Sequence, residues 1–254
     1  MKMETNRWRL YDSLLESLPD NAVIESCMIG PIWTVVCTSV GTGMAMTPPD
    51  APHANRLAGT IAGTPLRELA ELVKSWDFGE AAIGLAAINA WYNQPERVQS
   101  KCCRSKENES MFSEFETRMV GKKVAVIGHF PGVEPLRPIC ELSVLERICQ
   151  TGDYPDPACE YLLPDQDFVF ITATALENKT MPRLLELCQK PFTVIWGPST
   201  PLTNVLFEFG ADALIGSLVS STADVIRIAG EGGIATRLRP YMESRLWLSD
   251  GGTS

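Results

Sequence analysis

From residue 122 onward the sequence alternates short, apolar, β-branched runs with stretches of helical period, and this alternation constrains the fold more than any other feature. The runs at residues 123–127, 139–145, 168–172, 192–196 and 213–217 have the length and composition of strands buried on both faces. Helical stretches are predicted at 156–163, 181–189, 202–209 and 221–228. Strands joined by helical crossovers imply an α/β fold, a parallel sheet with helices on both faces.

The first hundred residues follow a different pattern. Leu10, Leu14, Leu15 and Leu18 recur at helical spacing up to Pro19. Two β-branched runs, 22–29 and 32–39, flank Gly30-Pro31 and precede Gly41-Thr42-Gly43, which predicts a strand meander. Thr64-Pro65 supplies an N-cap and N1 proline ahead of Leu66, Leu69, Leu72 and Val73. Residues 78–92 are apolar on every face except at Asn89, the pattern of a helix buried inside a domain. The polar stretch 96–108, with Lys101, Arg104 and Lys106, is the expected linker, and Met111, Phe115 and Met119 predict one more helix. The expected organisation is an α+β domain over 1–95, a linker and helix over 96–120, and a parallel-sheet domain over 121–254.

A chain of 254 residues is long enough for two cores. Its net charge of −9, from 22 basic and 31 acidic residues, sets it against phosphate backbones, so no nucleic-acid partner is expected. No apolar run reaches the roughly 18–20 residues of a membrane span, and Met1–Trp8 lacks an export signal, so a cytosolic protein is expected. In that compartment the 8 cysteines read as reduced thiols.

Ligands of open parallel sheets bind beyond the carboxyl ends of the strands. His129, directly after the first strand, is a candidate acid–base group near neutral pH, with a structural histidine as the competing use. Glu146 ends the second strand 18 positions after Gly128, close to the ~20 at which an acidic residue meets ribose hydroxyls, with a solvated strand-end side chain as the alternative. Thr172 ends the third strand, and Asn178 has an amide suited to reading a heterocycle edge or a carboxylate. Thr180 is expected to cap the following helix, with ligand contact as the alternative. Gly197-Pro198-Ser199-Thr200-Pro201 leads into the 202–209 stretch and predicts an anion seat, or a cap, at that helix N-terminus. Thr42 and Asn89 of the first domain are candidate cleft residues, with buried polar satisfaction as the alternative for both. The spacing of His53, His129 and the cysteines contains no metal-ligand motif, and the vicinal Cys102-Cys103 pair is the most notable donor set.

The stretch Val126-Ile127-Gly128-His129-Phe130-Pro131, residues 167–180 ending in Leu176-Glu177-Asn178-Lys179-Thr180, and Gly197-Pro198-Ser199-Thr200-Pro201 resemble a bacterial and archaeal family described as "putative heavy-metal chelation", of unknown function. Looser similarity extends to Gly216-Ser217, residues 30–46 and residues 84–89. The resemblance implies an enolase N-terminal-like domain paired with a Rossmann-like domain similar to methyltransferases. It implies an interdomain cleft where a pterin-, flavin- or chelator-like molecule is condensed, hydrolysed or given a group, and an adenosine-containing cofactor such as S-adenosylmethionine. The alternative is a non-catalytic carrier of a metal or metal chelate. The chain departs from the family pattern at Ala173, where glycine is expected, and at Glu177, where a small apolar residue is expected. The expected partner is a small anionic or heterocyclic molecule, with a homo-oligomer as a further expectation.

Overall fold

The computed structural model describes residues 6–49, 51, 55–98, 100–104, 112–130 and 132–249. The expected positions of His53, Lys106 and Met111 lie outside these residues.

The N-terminal meander forms a three-stranded antiparallel sheet of β1 (Ile24–Ile29), β2 (Trp33–Thr38) and β3 (Gly41–Met46). It follows helix α1 (Arg9–Glu16) and precedes α2 (Leu66–Ala70) and α3 (Phe78–Tyr92). Every residue of β2 is buried because the sheet is covered on both faces. Val36 and Ala45 join the core that contains α3, whereas Trp33, Val35, Cys37 and Met44 pack on Val225 and Ala229. Glycine lets β3 approach α3: a Cβ on Gly43 would sit 2.1 Å from Ala90 N. Asp77 caps α3 by accepting from the amides of Gly79 and Glu80, and burial of the helix all round follows from its uniformly apolar composition.

The remaining chain builds an eight-stranded sheet. Its strands are β4 (Cys103–Arg104), β5 (Lys123–Ile127), β6 (Glu141–Glu146), β7 (Tyr154–Pro155), β8 (Phe168–Thr172), β9 (Phe192–Trp196), β10 (Ala213–Val219) and β11 (Met242–Leu248). The spatial order is β4-β11-β10-β9-β8-β5-β6-β7. From β5 to β10 neighbouring strands are parallel, in the order of doubly wound sheets, while β11 and β4 pair antiparallel at one edge. The connecting helices are short: α4 (Pro95–Val98), α5 (Glu116–Met119), α6 (Cys159–Leu162), α7 (Met181–Leu187) and α8 (Val205–Glu208). Two more, α9 (Thr222–Gly230) and α10 (Ala235–Leu238), follow β10, and α9 covers the outer face of the small sheet.

Three expectations need correction. The described part of the expected linker is not free chain, since Cys103–Arg104 pairs with β11 as an edge strand. The helix expected around Met111, Phe115 and Met119 is one turn, Glu116–Met119, because Phe112 and Phe115 turn inward against Phe170. The helix expected over 202–209 is also a single turn, Val205–Glu208.

Candidate functional site

A cavity of about 930 Å³ opens at the carboxyl ends of β5, β6 and β8. The loops after β5 and β8 leave in different directions here, so the cavity occupies the topological switch point of the sheet. Its floor includes Gly128, His129, Glu146, Thr172 and Thr174, and Met46, Pro48, Pro49 and Phe78 of the N-terminal layer close it from above. Leu184, Leu187 and Pro157 give it an apolar side wall.

The loop after β5 places the histidine. Gly128 has φ +104, a left-handed turn open to glycine, and its amide donates to Leu145 O at 3.0 Å. The next amide, of His129, donates to Glu146 Oε1 at 3.0 Å, and Glu146 Oε2 accepts from Arg147 N at 2.7 Å. Glu146 thus clamps the β5 loop to the end of β6 while lining the cavity. His129 Nδ1 lies 3.2 Å from Asp153 Oδ2, which also accepts from Gln150 N at 2.9 Å. The Asp153 side chain is only 1% exposed, so the pair is shielded from solvent on the carboxylate side. Nε2 of His129 has no partner among the described residues. Asp153 was not legible in the sequence, since it stands 24 residues from His129 and meets it only in the folded chain.

The loop after β8 supplies the opposite wall. Thr172 and Thr174 share a 2.9 Å hydroxyl contact. Asn178 Oδ1 accepts from Thr180 N at 3.1 Å and Thr180 Oγ1 at 2.6 Å. Contrary to expectation, Thr180 does not cap α7 with its side chain, because its backbone is already helical (φ −82, ψ −21) instead of in the extended conformation of a capping residue. The Asn178 amide nitrogen has no partner among the described residues. Between them Lys179 adopts φ +67, a strained conformation for a residue with a side chain. Burial lowers its ammonium to about 8, against the opposing pull of Glu177. Burial raises the carboxyl of Glu177 well above the usual range, and Lys179 and Ser199 only partly offset this. Burial also raises Asp156 on the neighbouring wall, with Arg147 opposing and Glu146 reinforcing the shift.

The expected anion seat is closed. Ser199 and Thr200 are 2% and 0% exposed, and the four-residue α8 starts too late to aim free amides at this loop. Thr200 N donates to Gly197 O at 3.0 Å, and Leu202 N donates to Asn93 Oδ1 at 2.8 Å. Ser199 Oγ accepts from Met46 N at 2.9 Å, so its hydroxyl joins the two layers. Gly197 takes φ +128 and with Pro198 forms the tight turn that carries the loop under the N-terminal layer. The cleft expectations for Thr42 and Asn89 also change. Thr42 Oγ1 contacts Thr222 Oγ1 at 2.7 Å, away from the cavity, and Asn89 donates to Met44 O and Ser199 O, both at 2.9 Å.

The sequence matches the family DUF364, described as "Putative heavy-metal chelation", over residues 112–248, and the family DUF4213, with the same description, over residues 11–92. The chain belongs to the DUF364 family. It is 30% identical over 222 residues to a protein of Methanocaldococcus jannaschii, 82% of each chain being covered. Among solved structures it is similar to a DUF364-family protein from Desulfitobacterium hafniense, with a TM-score of 0.89 and 36% identity over 96% of this chain and 99% of that one. A DUF364-family protein from Pyrococcus horikoshii matches at a TM-score of 0.79 and 21% identity, again over 96% and 99%, a likeness of fold alone.

The family description invites a metal, and the described residues do not fit one. Among the described residues no group of three or more His, Cys, Asp or Glu side chains is placed to hold an ion. The vicinal thiols diverge: Cys102 is buried, with its thiol pushed up to about 11 by burial, while Cys103 faces outward. Among the described residues no helix is long and apolar enough to cross a membrane.

Proposed function

We propose that this DUF364 protein binds a small organic molecule with a flat heterocyclic part in the switch-point cavity and performs acid–base chemistry on it through His129. The observation that carries this reading is the His129–Asp153 pair at the cavity wall, 3.2 Å apart. A carboxylate on Nδ1 fixes the ring and its tautomer and leaves Nε2 to take or give a proton. Apolar walls with a few convergent polar groups are the usual lining of such a site.

Under this reading the large sheet is Rossmann-like and the N-terminal layer enolase N-terminal-like, with the small molecule lying between them. Glu146, at the end of β6, would accept from ribose hydroxyls of an adenosine-containing ligand such as S-adenosylmethionine, and the Asn178 amide would orient the reacting molecule. A chelation role is then exercised on a metal-binding small molecule held in the cavity, since the described side chains offer no metal cluster of their own.

The test is to release and identify by mass spectrometry whatever co-purifies with the native protein. S-adenosylmethionine, S-adenosylhomocysteine, adenine nucleotides and a pterin are then titrated by calorimetry into the protein and its Asp153→Asn variant. At least one small molecule should co-purify or bind. Turnover of that molecule should fall by about a hundredfold or more in Asp153→Asn, with binding less affected. If nothing co-purifies and none of the panel binds, the ligand-binding reading is wrong. Binding with unaltered turnover in the variant would remove the role of His129.

A further inference from the structure

The cavity wall contains an ionisable group that the chemistry above leaves unused. Glu177 lines the cavity from the loop after β8 and is 2% exposed. Its Oε1 is buried and has no hydrogen-bond partner among the described residues. Lys179, the charged group that acts on it, spends its Nζ on the main-chain oxygen of Glu177, at 2.5 Å. From the loop after β9 the Ser199 hydroxyl faces the carboxyl, with its own oxygen taken by Met46 N. An enclosed carboxylate would lose its hydration without an ion pair to replace it, so the neutral acid is the form that suits this place.

Resting on the cavity reading above, we propose that Glu177 is a specificity-determining residue that binds the occupant as a neutral carboxylic acid, donating its proton to an uncharged acceptor such as a heteroaromatic ring nitrogen or a carbonyl oxygen. Around it Met46, Phe78 and Leu184 offer apolar surface to a flat ring. One donor on such a wall decides which way round the ring lies. A ring without an acceptor leaves that donor unpaired, and a buried unpaired donor penalises binding.

Two flat bicyclic probes of equal size separate these effects: quinoxaline, with ring nitrogens, and naphthalene, without. Their affinities are measured by fluorescence titration with the intact chain, and the ratio of quinoxaline to naphthalene affinity is compared between variants. In Glu177→Met, similar in length and apolar, the ratio should drop roughly fivefold. In Glu177→Gln, whose amide also donates, it should stay within about twofold. An unchanged ratio in Glu177→Met, with both probes bound, overturns this proposal and leaves the cavity reading intact. A large rise in Glu177→Gln means that the native side chain is charged, and it overturns the proposal too. If neither probe binds the native protein, the wall at Glu177 does not accept a flat ring and this proposal falls, while the cavity reading is decided by the co-purification and panel titrations above.

Discussion

The side-chain amide of Asn89 donates to the carbonyl oxygen of Ser199 at 2.9 Å, across 110 residues of sequence. One turn further, at the C-cap of α3, Asn93 repeats the arrangement. Its amide donates to Thr200 O at 2.9 Å, and its Oδ1 accepts from Leu202 N at 2.8 Å. Asn93 N still donates to Asn89 O at 2.9 Å, and residues four apart lie on one face of a helix, so α3 and its C-cap present two amides to the loop after β9. This loop cannot take a seat for an anion while it is bound to the N-terminal layer in this way.

Asn93→Ala should therefore destabilise the protein by about 1–3 kcal/mol, because it leaves a buried amide and a buried carbonyl unpaired. Asn89→Ala should cost less, since Asn89 Oδ1 already lacks a partner and only the donor side is lost. The double variant should cost less than the sum, because both residues hold one loop. Urea denaturation of the three variants measures each value. Losses within about 0.3 kcal/mol of the native protein would show that the two layers do not depend on these amides.

The sequence reveals the larger sheet where its runs are continuous. Residues 123–127, 168–172 and 192–196 coincide with β5, β8 and β9, because strands buried on both faces need uninterrupted apolar residues. Strand β11 was not legible, since Glu243, Ser244 and Arg245 interrupt its run and its pairing with β10 supplies the missing stability. The two-residue β4 has no local signal at all and exists through the same pairing. His129 was legible from its place after a strand, whereas Asp153 reaches it only through the geometry of the β6–β7 turn. The closure of the loop at Ser199 and Thr200 is hidden in the sequence for a similar reason. Pro198-Ser199-Thr200-Pro201 looks alike in an open and a closed loop, and the difference lies in Asn89 and Asn93.

Glu177 and Lys179 should give stability a dependence on pH with two opposite slopes. The folded carboxyl titrates above the unfolded value of about 4.5, so over that window the folded state holds a proton that the unfolded chain has released. Stability from this group is complete at low pH and falls as pH rises. The lysine titrates near 8 when folded and near 10.5 when unfolded, so in that interval the unfolded chain holds the extra proton and stability recovers. Glu177→Gln should flatten the first slope, changing it by up to about 1.4 kcal/mol per pH unit. Parallel pH profiles for the variant and the native protein, from denaturation between about pH 5 and pH 8, would mean that Glu177 is charged in the folded state.

The cysteines should separate into two groups by accessibility. Cys103 and Cys149 are exposed, while burial raises Cys27 and Cys188 to about 12 and Cys102 and Cys159 to about 11. Thiolate is the reactive form, so iodoacetamide at neutral pH should modify Cys103 and Cys149 first. All eight cysteines are free, and all should react in urea without prior reduction. Peptide mapping checks both statements. Native labelling of Cys102 as fast as Cys103 would show that β4 separates readily from β11.

Lys179 combines a strained backbone with a half-buried amine, and the two have a common origin. Its φ of +67 turns the loop so that Nζ folds back onto Glu177 O, with the Phe78 ring centroid 5.5 Å away. The amine exchanges water for one carbonyl and an aromatic ring, which favours the neutral form and brings it to about 8. Acylation by an N-hydroxysuccinimide ester requires that neutral form, so the rate at Lys179 should level off above about pH 8. An ordinary lysine amine continues to accelerate to about pH 10, and an added N-acetyl-lysine amide serves as the standard. Partial burial lowers the absolute rate and leaves the shape of the profile untouched, so the profile is the quantity to read, from peptide mass spectrometry between about pH 7 and pH 10. A Lys179 profile parallel to that of the standard would place its ammonium in water, with Nζ no longer folded back onto Glu177 O.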